Sequence, residues 1–262
     1  MEEFKGKKYL RFYKNRFGIV SSVLSMLALF FVLWTVTDSE SIQIFKDLRS
    51  LIIVVGGTFA CLAFQYDLES LFRTSILVLE SFYRSPERKM TPIINELDEC
   101  IVAQERFTDL RAAPSLSGIL IDDVVYMAKK GLVSDEIEDF IANRVKTDLL
   151  YRKLAVSLLE RGAKIAPALG LLGTVIGLID VLQQLDEPNN IGPAMSLALM
   201  TTAFGAMLGS LIFTPLAGRL ANHNMIFVDV HELFMRRVSL LLRREERMID
   251  RSQTNRQVGD YV

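Results

Sequence analysis

Three threonines, Thr174, Thr201 and Thr202, stand in apolar stretches rich in glycine and alanine. A threonine in such surroundings ordinarily bonds back to a carbonyl of its own helix. Where two helices face each other, Thr174 and Thr202 can instead line a wet path, offering oxygens to water or to a hard cation. The chemistry suggested is passage of an ion rather than the making of bonds. No nucleophile, base and orienting group are grouped, and no phosphate-cradling glycine loop is present, so catalysis is not expected. His223 and His231 lie in a charged helix without cysteines or clustered carboxylates at ligand spacing, so no metal site and no cofactor are expected. Cys61 falls in an apolar segment and Cys100 in a charged one, and both are expected as free thiols.

Equally informative is what the apolar stretches lack. No Asp, Glu, His, Lys or Arg stands near the middle of any of them. Such a group costs about 2.5–3.5 kcal/mol on insertion scales and is the usual mark of a proton or ion relay. Asp180 comes nearest, but it lies toward the outer end of its stretch and reads as an interfacial carboxylate. A path walled by this chain alone has no titrating group. If the chain belongs to an ion channel, a partner helix must bring the carboxylate.

The elements that hold the threonines follow from hydropathy and spacing. The chain has 262 residues, is 50% hydrophobic and has a formal net charge of −1, with charged and uncharged stretches segregated along it. That segregation indicates a multispanning membrane protein with aqueous parts. Residues 17–37, 51–64, 165–182 and 194–217 are each read as membrane-crossing helices, the second being short. The first follows a basic stretch, but its apolar part is too long for a signal peptide and it reads as a retained anchor. Lys5, Lys7, Lys8, Arg11, Lys14 and Arg16 place the N-terminus inside, and the arginine-rich tail after residue 217 agrees with that.

Within the third stretch, Ala166, Gly170, Gly173 and Gly177 recur at helical spacing, as a helix needs for close backbone contact with a neighbour. Ala194, Ala198, Thr202, Gly205 and Gly209 repeat the pattern in the fourth. Pro167 and Pro215 each remove a backbone donor near an inner end, giving either an ordinary kink or a flexible point between membrane and aqueous helices.

The aqueous part reads as helical, broken by Pro86, Pro92 and Pro114 and punctuated by Gly118 and Gly131. Ser134 is expected to cap a helix whose first turn holds Asp135, Glu136 and Glu138. That helix is expected to continue into the third span and to project roughly 40 Å from the membrane. The expected fold is an all-α integral membrane protein with four transmembrane helices and long cytoplasmic helical extensions. Its parts are residues 1–16 inside, 17–64 holding two spans, 65–164 cytoplasmic, 165–217 holding two more, and 218–262 a cytoplasmic helix and tail.

Ala166-Pro-Ala-Leu-Gly-Leu-Leu-Gly-Thr-Val-Ile-Gly-Leu-Ile, then Leu185-Asp-Glu-Pro, Ile191-Gly-Pro-Ala-Met, Ala198-Leu-Met-Thr-Thr-Ala-Phe-Gly and Ile212-Phe-Thr-Pro-Leu-Ala-Gly-Arg-Leu resemble the MotA family of flagellar stator subunits. Val55-Gly-Gly-Thr is similar to that family's second-span motif. Four spans with a long second cytoplasmic link suit MotA better than its three-span relatives ExbB and TolQ. The resemblance implies a homo-oligomeric ring, a pentamer, around a MotB-like single-span subunit that supplies an intramembrane Asp. It implies a bacterial inner-membrane location, H+ or Na+ as the transported ion, and a driven rotor protein such as FliG; no nucleic-acid partner is expected. By matching motifs, Thr174 and Thr202, with Thr201 beside them, line the ion path, and Pro167 and Pro215 couple it to the cytoplasmic helices. Gly170, Gly173, Gly177, Gly205 and Gly209 pack the helices.

One stretch departs from the family. Its rotor-facing pattern is like Ala-Arg-x-x-Gly-Leu-x-x-Leu-Glu, whereas here Val102-Ala-Gln-Glu-Arg-Phe-Thr-Asp-Leu-Arg has Gln104 in place of the arginine. Glu105, Arg106 and Arg111 either serve instead or form a solvated helix face. The departure leaves open a MotA-like energiser of another envelope machine, for gliding or transport, beside a flagellar stator. A non-conducting membrane scaffold is the reading of a different class.

Overall fold

A computed structural model of the chain describes residue 27 and residues 48–83, 86–103, 119–131, 133–185 and 188–259. Among the described residues every regular element is a helix. Among the described residues, three helical runs are long and apolar enough to cross a membrane: Leu48–Gln65, Ser134–Gln183 and Ile191–Met248. The expected span 17–37 lies outside the described residues apart from Leu27. The chain divides into two units, one of Met1–Gln65 with Arg161–Phe213 and one of Tyr66–Glu160 with Thr214–Val262.

In the first unit, helix α1 covers Leu48–Gln65, with a π-helical stretch at Ile52–Gly56. Val54, Thr58 and Leu62, one turn apart, are fully buried. The Thr58 hydroxyl donates to the Val54 carbonyl at 2.6 Å, so its burial leaves no polar atom wanting. Helix α5 is continuous from Ser134 to Gln183, and its Arg161–Gln183 part belongs to this unit. Pro167 lies inside it without ending it. After a turn at Gln184 and Leu185, helix α6 covers Pro188–Ala206 and passes into a π-helical stretch at Met207–Phe213. Helix α7 follows from Thr214 to Gly259, with Pro215 as its second residue. Proline excludes the i−4 bond and crowds that carbonyl, and the wider π-turns just before it meet that constraint.

The second unit is built differently. Helices α2 (Leu68–Tyr83), α3 (Pro86–Ala103) and α4 (Ile119–Lys129) join the Ser134–Glu160 part of α5 and helix α7. Its core interlocks large apolar side chains, among them Ile94 and Leu97 of α3, Val124 of α4, Ile137 and Ile141 of α5, and Phe234 and Val238 of α7. Ion pairs rim it, with Arg237 to Asp98 at 2.8 Å and Arg243 to Glu138 at 3.4 Å. Gly131 ends the α4 turn at φ +76°, a conformation side chains resist, and its N–H donates to the Ala128 carbonyl at 3.0 Å.

Two local expectations are corrected here. Pro92 does not break the helix but sits within α3. It lies on the exposed side, where the carbonyl it leaves unbonded can be hydrated. Ser134 does not cap its helix through the amides at the usual offsets. Those of Glu136 and Ile137 donate to the Val133 carbonyl at 3.1 and 3.3 Å. The Ser134 N–H itself donates to the Glu246 carboxylate of α7 at 2.7 Å. A carboxylate from a distant part of the sequence therefore serves this helix N-terminus, as its dipole favours.

Arg152 organises the second unit's buried polar groups. Its guanidinium lies over the Phe227 ring at 4.3 Å and reaches His223 Nδ1 at 3.4 Å and Glu80 at 3.9 Å. His231 stacks on the same Phe227, with centroids 3.9 Å apart, and its Nδ1 lies 2.7 Å from the Phe227 carbonyl, to which it donates when protonated there. Burial pulls the His231 imidazole below its ordinary value.

Candidate functional site: the seam between α5 and α6

The site grows from six close approaches of glycine backbone to a facing helix. A methyl group added at Gly177 would lie 2.6 Å from the Ala198 side chain, and one at Gly173 would lie 2.5 Å from that of Thr201. At Gly170 it would meet the Thr201 carbonyl at 2.8 Å, and at Gly205 the Ala166 carbonyl at 2.7 Å. At Gly209 it would meet both the Ala163 carbonyl and the Pro167 ring at 2.8 Å, and at Gly162 the Phe213 ring at 2.9 Å. The paired numbers rise on one helix as they fall on the other, so the seam is antiparallel. Where the obstacle is backbone, no rotamer change makes room, and an added side chain must part the helices.

The Gly209 contact explains how a proline is accommodated. Pro167 has no N–H to give the Ala163 carbonyl, and Gly209 lies against that carbonyl and the proline ring together. Pro215 is exposed at the start of α7.

The threonines occupy two different places. Thr201 is fully buried and donates within its own helix, to Ala198 at 2.9 Å or Leu197 at 3.0 Å. Thr202 is exposed, and its hydroxyl meets that of Thr174 across the seam. Thr174 Oγ1 also lies 3.2 Å from the Gly170 carbonyl and 3.3 Å from that of Ala198, while Thr202 Oγ1 is 3.4 Å from both. Two hydroxyls and two carbonyls thus gather on one flank. Each hydroxyl has one proton, so the four oxygens hold more lone pairs than protons. Both hydroxyl protons find acceptors within the group, and the remaining lone pairs on the exposed flank can accept from water or face a cation.

The inward face of α6 and the π-helical stretch after it is therefore Ala194, Ala198, Thr201, Gly205 and Gly209, with Thr201 taking the place expected for Thr202. Steps of four, three, four and four follow the helical period, and Thr202 stands one residue further round, at the edge of the seam. Two further members went unremarked in the sequence. Gly162 lies one turn before Ala166 and continues the same stripe, so its spacing was the available signal. Phe213, which fills the space over Gly162 and lies 6.5 Å from the Phe59 ring, carried no signal in the linear pattern. Glu105, Arg106 and Arg111 lie outside the described residues. Among the described residues no group of three or more His, Cys, Asp or Glu is placed to hold a metal.

Residues 114–232, which include this seam, match the model of the MotA/TolQ/ExbB proton channel family. The chain is 27% identical over 242 residues to Motility protein A of Aquifex aeolicus, covering 86% of this chain and 91% of that one. It is 26% identical to Chemotaxis protein PomA of Vibrio alginolyticus, covering 73% and 76% of the two. Its fold is similar to the structure of C. jejuni MotAB, with a TM-score of 0.72 at 17% identity over 86% of this chain and 89% of that one. The flagellar MotAB stator complex from Bacillus subtilis gives a TM-score of 0.71 at 20% identity, covering 87% and 90%. The glycine seam, the matched segment and these relatives agree: residues 114–232 carry the pattern of the MotA/TolQ/ExbB proton channel family, and the chain as a whole is similar to the MotA stator subunits.

Proposed function

We propose that this chain is an ion-conducting stator subunit which, with a MotB-like partner, converts proton or sodium flow into torque for flagellar rotation. The observation that carries the reading is the oxygen cluster of Thr174 and Thr202, open on one flank of a seam without ionisable groups. An open flank of surplus oxygens is suited to water or an ion, but not to holding a proton. The intramembrane Asp of a MotB-like single-span subunit supplies that group. One elementary charge crossing 100 mV releases about 2.3 kcal/mol, so sustained work needs many crossings.

In this reading four spans lie in the bacterial inner membrane with both termini in the cytoplasm. Five copies ring the partner, Pro167 and Pro215 relay movement to the cytoplasmic helices, and these act on a rotor protein such as FliG. The subunit performs no catalysis and needs no cofactor.

The test is a deletion strain complemented with wild type, Thr202→Val or Thr174→Ala, with swimming speed recorded against sodium concentration. Both variants are expected to assemble but to swim at under half the wild-type speed. Speed that follows sodium assigns that ion; speed indifferent to sodium assigns the proton. Full motility and normal ion flux in both variants would remove the oxygen cluster from the path.

A further inference from the structure

Helix α2 is inside out for an aqueous unit. Leu68, Phe72, Ile76, Leu79 and Tyr83 fall at steps of four, four, three and four, and form one stripe. Each is at least half exposed, Leu68 at 73% and Phe72 at 69%. The residues this helix buries are Thr74 and Ser81, whose hydroxyls return to carbonyls of their own helix. A helix in water turns such a stripe toward a core. A helix that lies in a lipid interface turns it outward.

Beside the stripe, α2 and α5 line an open cavity of about 250 Å³ whose wall includes Arg73, Asp148, Tyr151 and Arg152. The Arg152 guanidinium is largely buried, and burial holds its pKa below the ordinary value. Its nearest carboxylate, Glu80, is 3.9 Å away, a loose pairing for a buried cation. Arg73 lies over the Tyr151 ring at 5.3 Å and pairs with exposed Glu69 at 2.6 Å, a surface pair that contributes little. Asp148 adds a carboxylate, so the wall carries both signs.

This surface is close along the chain to the apolar helices. Leu68 follows the end of α1 at Gln65 by three residues, about 10 Å of extended chain. Ala155 precedes Arg161 by six residues in α5, about 9 Å of helix. The core of a contact between protein copies is depleted in charge, whereas here both signs interrupt the apolar surface. A zwitterionic phospholipid matches that pattern: acyl chains on the stripe, phosphate on the arginines, ammonium on Asp148 and the Tyr151 ring.

We propose that α2 lies in the membrane interface and that the Arg73–Asp148–Arg152 cavity binds the headgroup of an ethanolamine phospholipid. The proposal rests on the reading of α1 and α5 as membrane helices and is independent of ion conduction, so its test reads neither motility nor flux. The full chain carrying Trp34→Phe and Phe72→Trp is reconstituted into vesicles of phosphatidylethanolamine with phosphatidylglycerol. Brominated acyl chains are expected to quench the introduced indole at least twofold, and aqueous iodide to leave it nearly unchanged. Quenching by iodide alone would place the stripe in water, and quenching by neither would place it against another protein surface. Either result overturns the proposal.

The headgroup is tested on the detergent-purified chain by native mass spectrometry, with phosphatidylethanolamine and phosphatidylglycerol in competition. Affinity for phosphatidylethanolamine is expected to fall about tenfold in Arg73→Gln, and its preference over phosphatidylglycerol about tenfold in Asp148→Asn, each the size of one charge-assisted hydrogen bond. Both side chains lie outside the core, so the fold should stand. An unchanged affinity in Arg73→Gln, an unchanged preference in Asp148→Asn, or equal displacement of the lipid by inorganic phosphate would overturn the headgroup assignment.

Discussion

The two parts of helix α5 share one continuous backbone but hold their units together in opposite ways. The Arg161–Gln183 part meets α6 through Gly170, Gly173 and Gly177, and its outward side chains such as Leu171 and Val175 are exposed. The Ser134–Glu160 part presents Ile137 and Ile141 to a core of large residues and uses charges at the rim. The difference follows from the solvent each part is suited to. In water, burying large apolar side chains drives association. In lipid that drive is absent, and close backbone contact between small residues takes over. One helix thereby carries two packing chemistries.

The contrast can be broken from either side. Phe234→Ala opens the fully buried centre of the second unit and is expected to destabilise it by about 3–5 kcal/mol. The measurement is limited proteolysis of that unit in detergent, with the first unit's seam left intact. Gly205→Val should act on the first unit instead, costing about 1–3 kcal/mol because the obstacle is backbone. Gly218→Ala is its control, since nothing lies within 4 Å of the added methyl and helix propensity favours alanine by about 1 kcal/mol. Equal thermal midpoints for Gly205→Val and Gly218→Ala would show that the seam is not tightly packed.

Acid should separate the units as well. His231 is buried as the neutral imidazole, with Arg152 opposing its protonation and Asp148 partly offsetting that. Its pKa in the folded chain is lowered from the ordinary 6.5, so the unfolded chain takes up the proton more readily. Stability of the second unit is therefore expected to decline as pH falls below about 6.5, and His231→Phe should flatten that decline in thermal melts between pH 7.5 and 5.5. The smallest effect belongs to Glu246, whose carboxyl is held below the ordinary 4.5 by Ser134, through its side chain and its N–H, and then by Arg243. Its contribution is present above about pH 4.5 and is lost as pH falls through the lowered value. Glu246→Gln should lose it at neutral pH, read as earlier hydrogen exchange at Ser134.

Helical spacing was enough to identify the Gly170, Gly173 and Gly177 stripe, because a helix repeats its faces along the chain. The same arithmetic reaches Gly162. It could not choose between Thr201 and Thr202, adjacent residues near the boundary of a face, since the choice depends on how α6 is rotated against α5. Nor could it find the N-terminal partner of Ser134, because Glu246 lies on another helix and no local pattern joins the two.

What this sequence determined by itself is its helices, the apolarity of their spans, the small-residue stripes and the absence of a titrating group near any span's centre. These are local properties, written in residue type and period. Only the tertiary structure decided which hydroxyls meet, that Gly209 lies against the carbonyl freed by Pro167, and that α2 turns its apolar stripe outward. Those depend on register and rotation between helices, which arise from contacts between residues far apart in the chain.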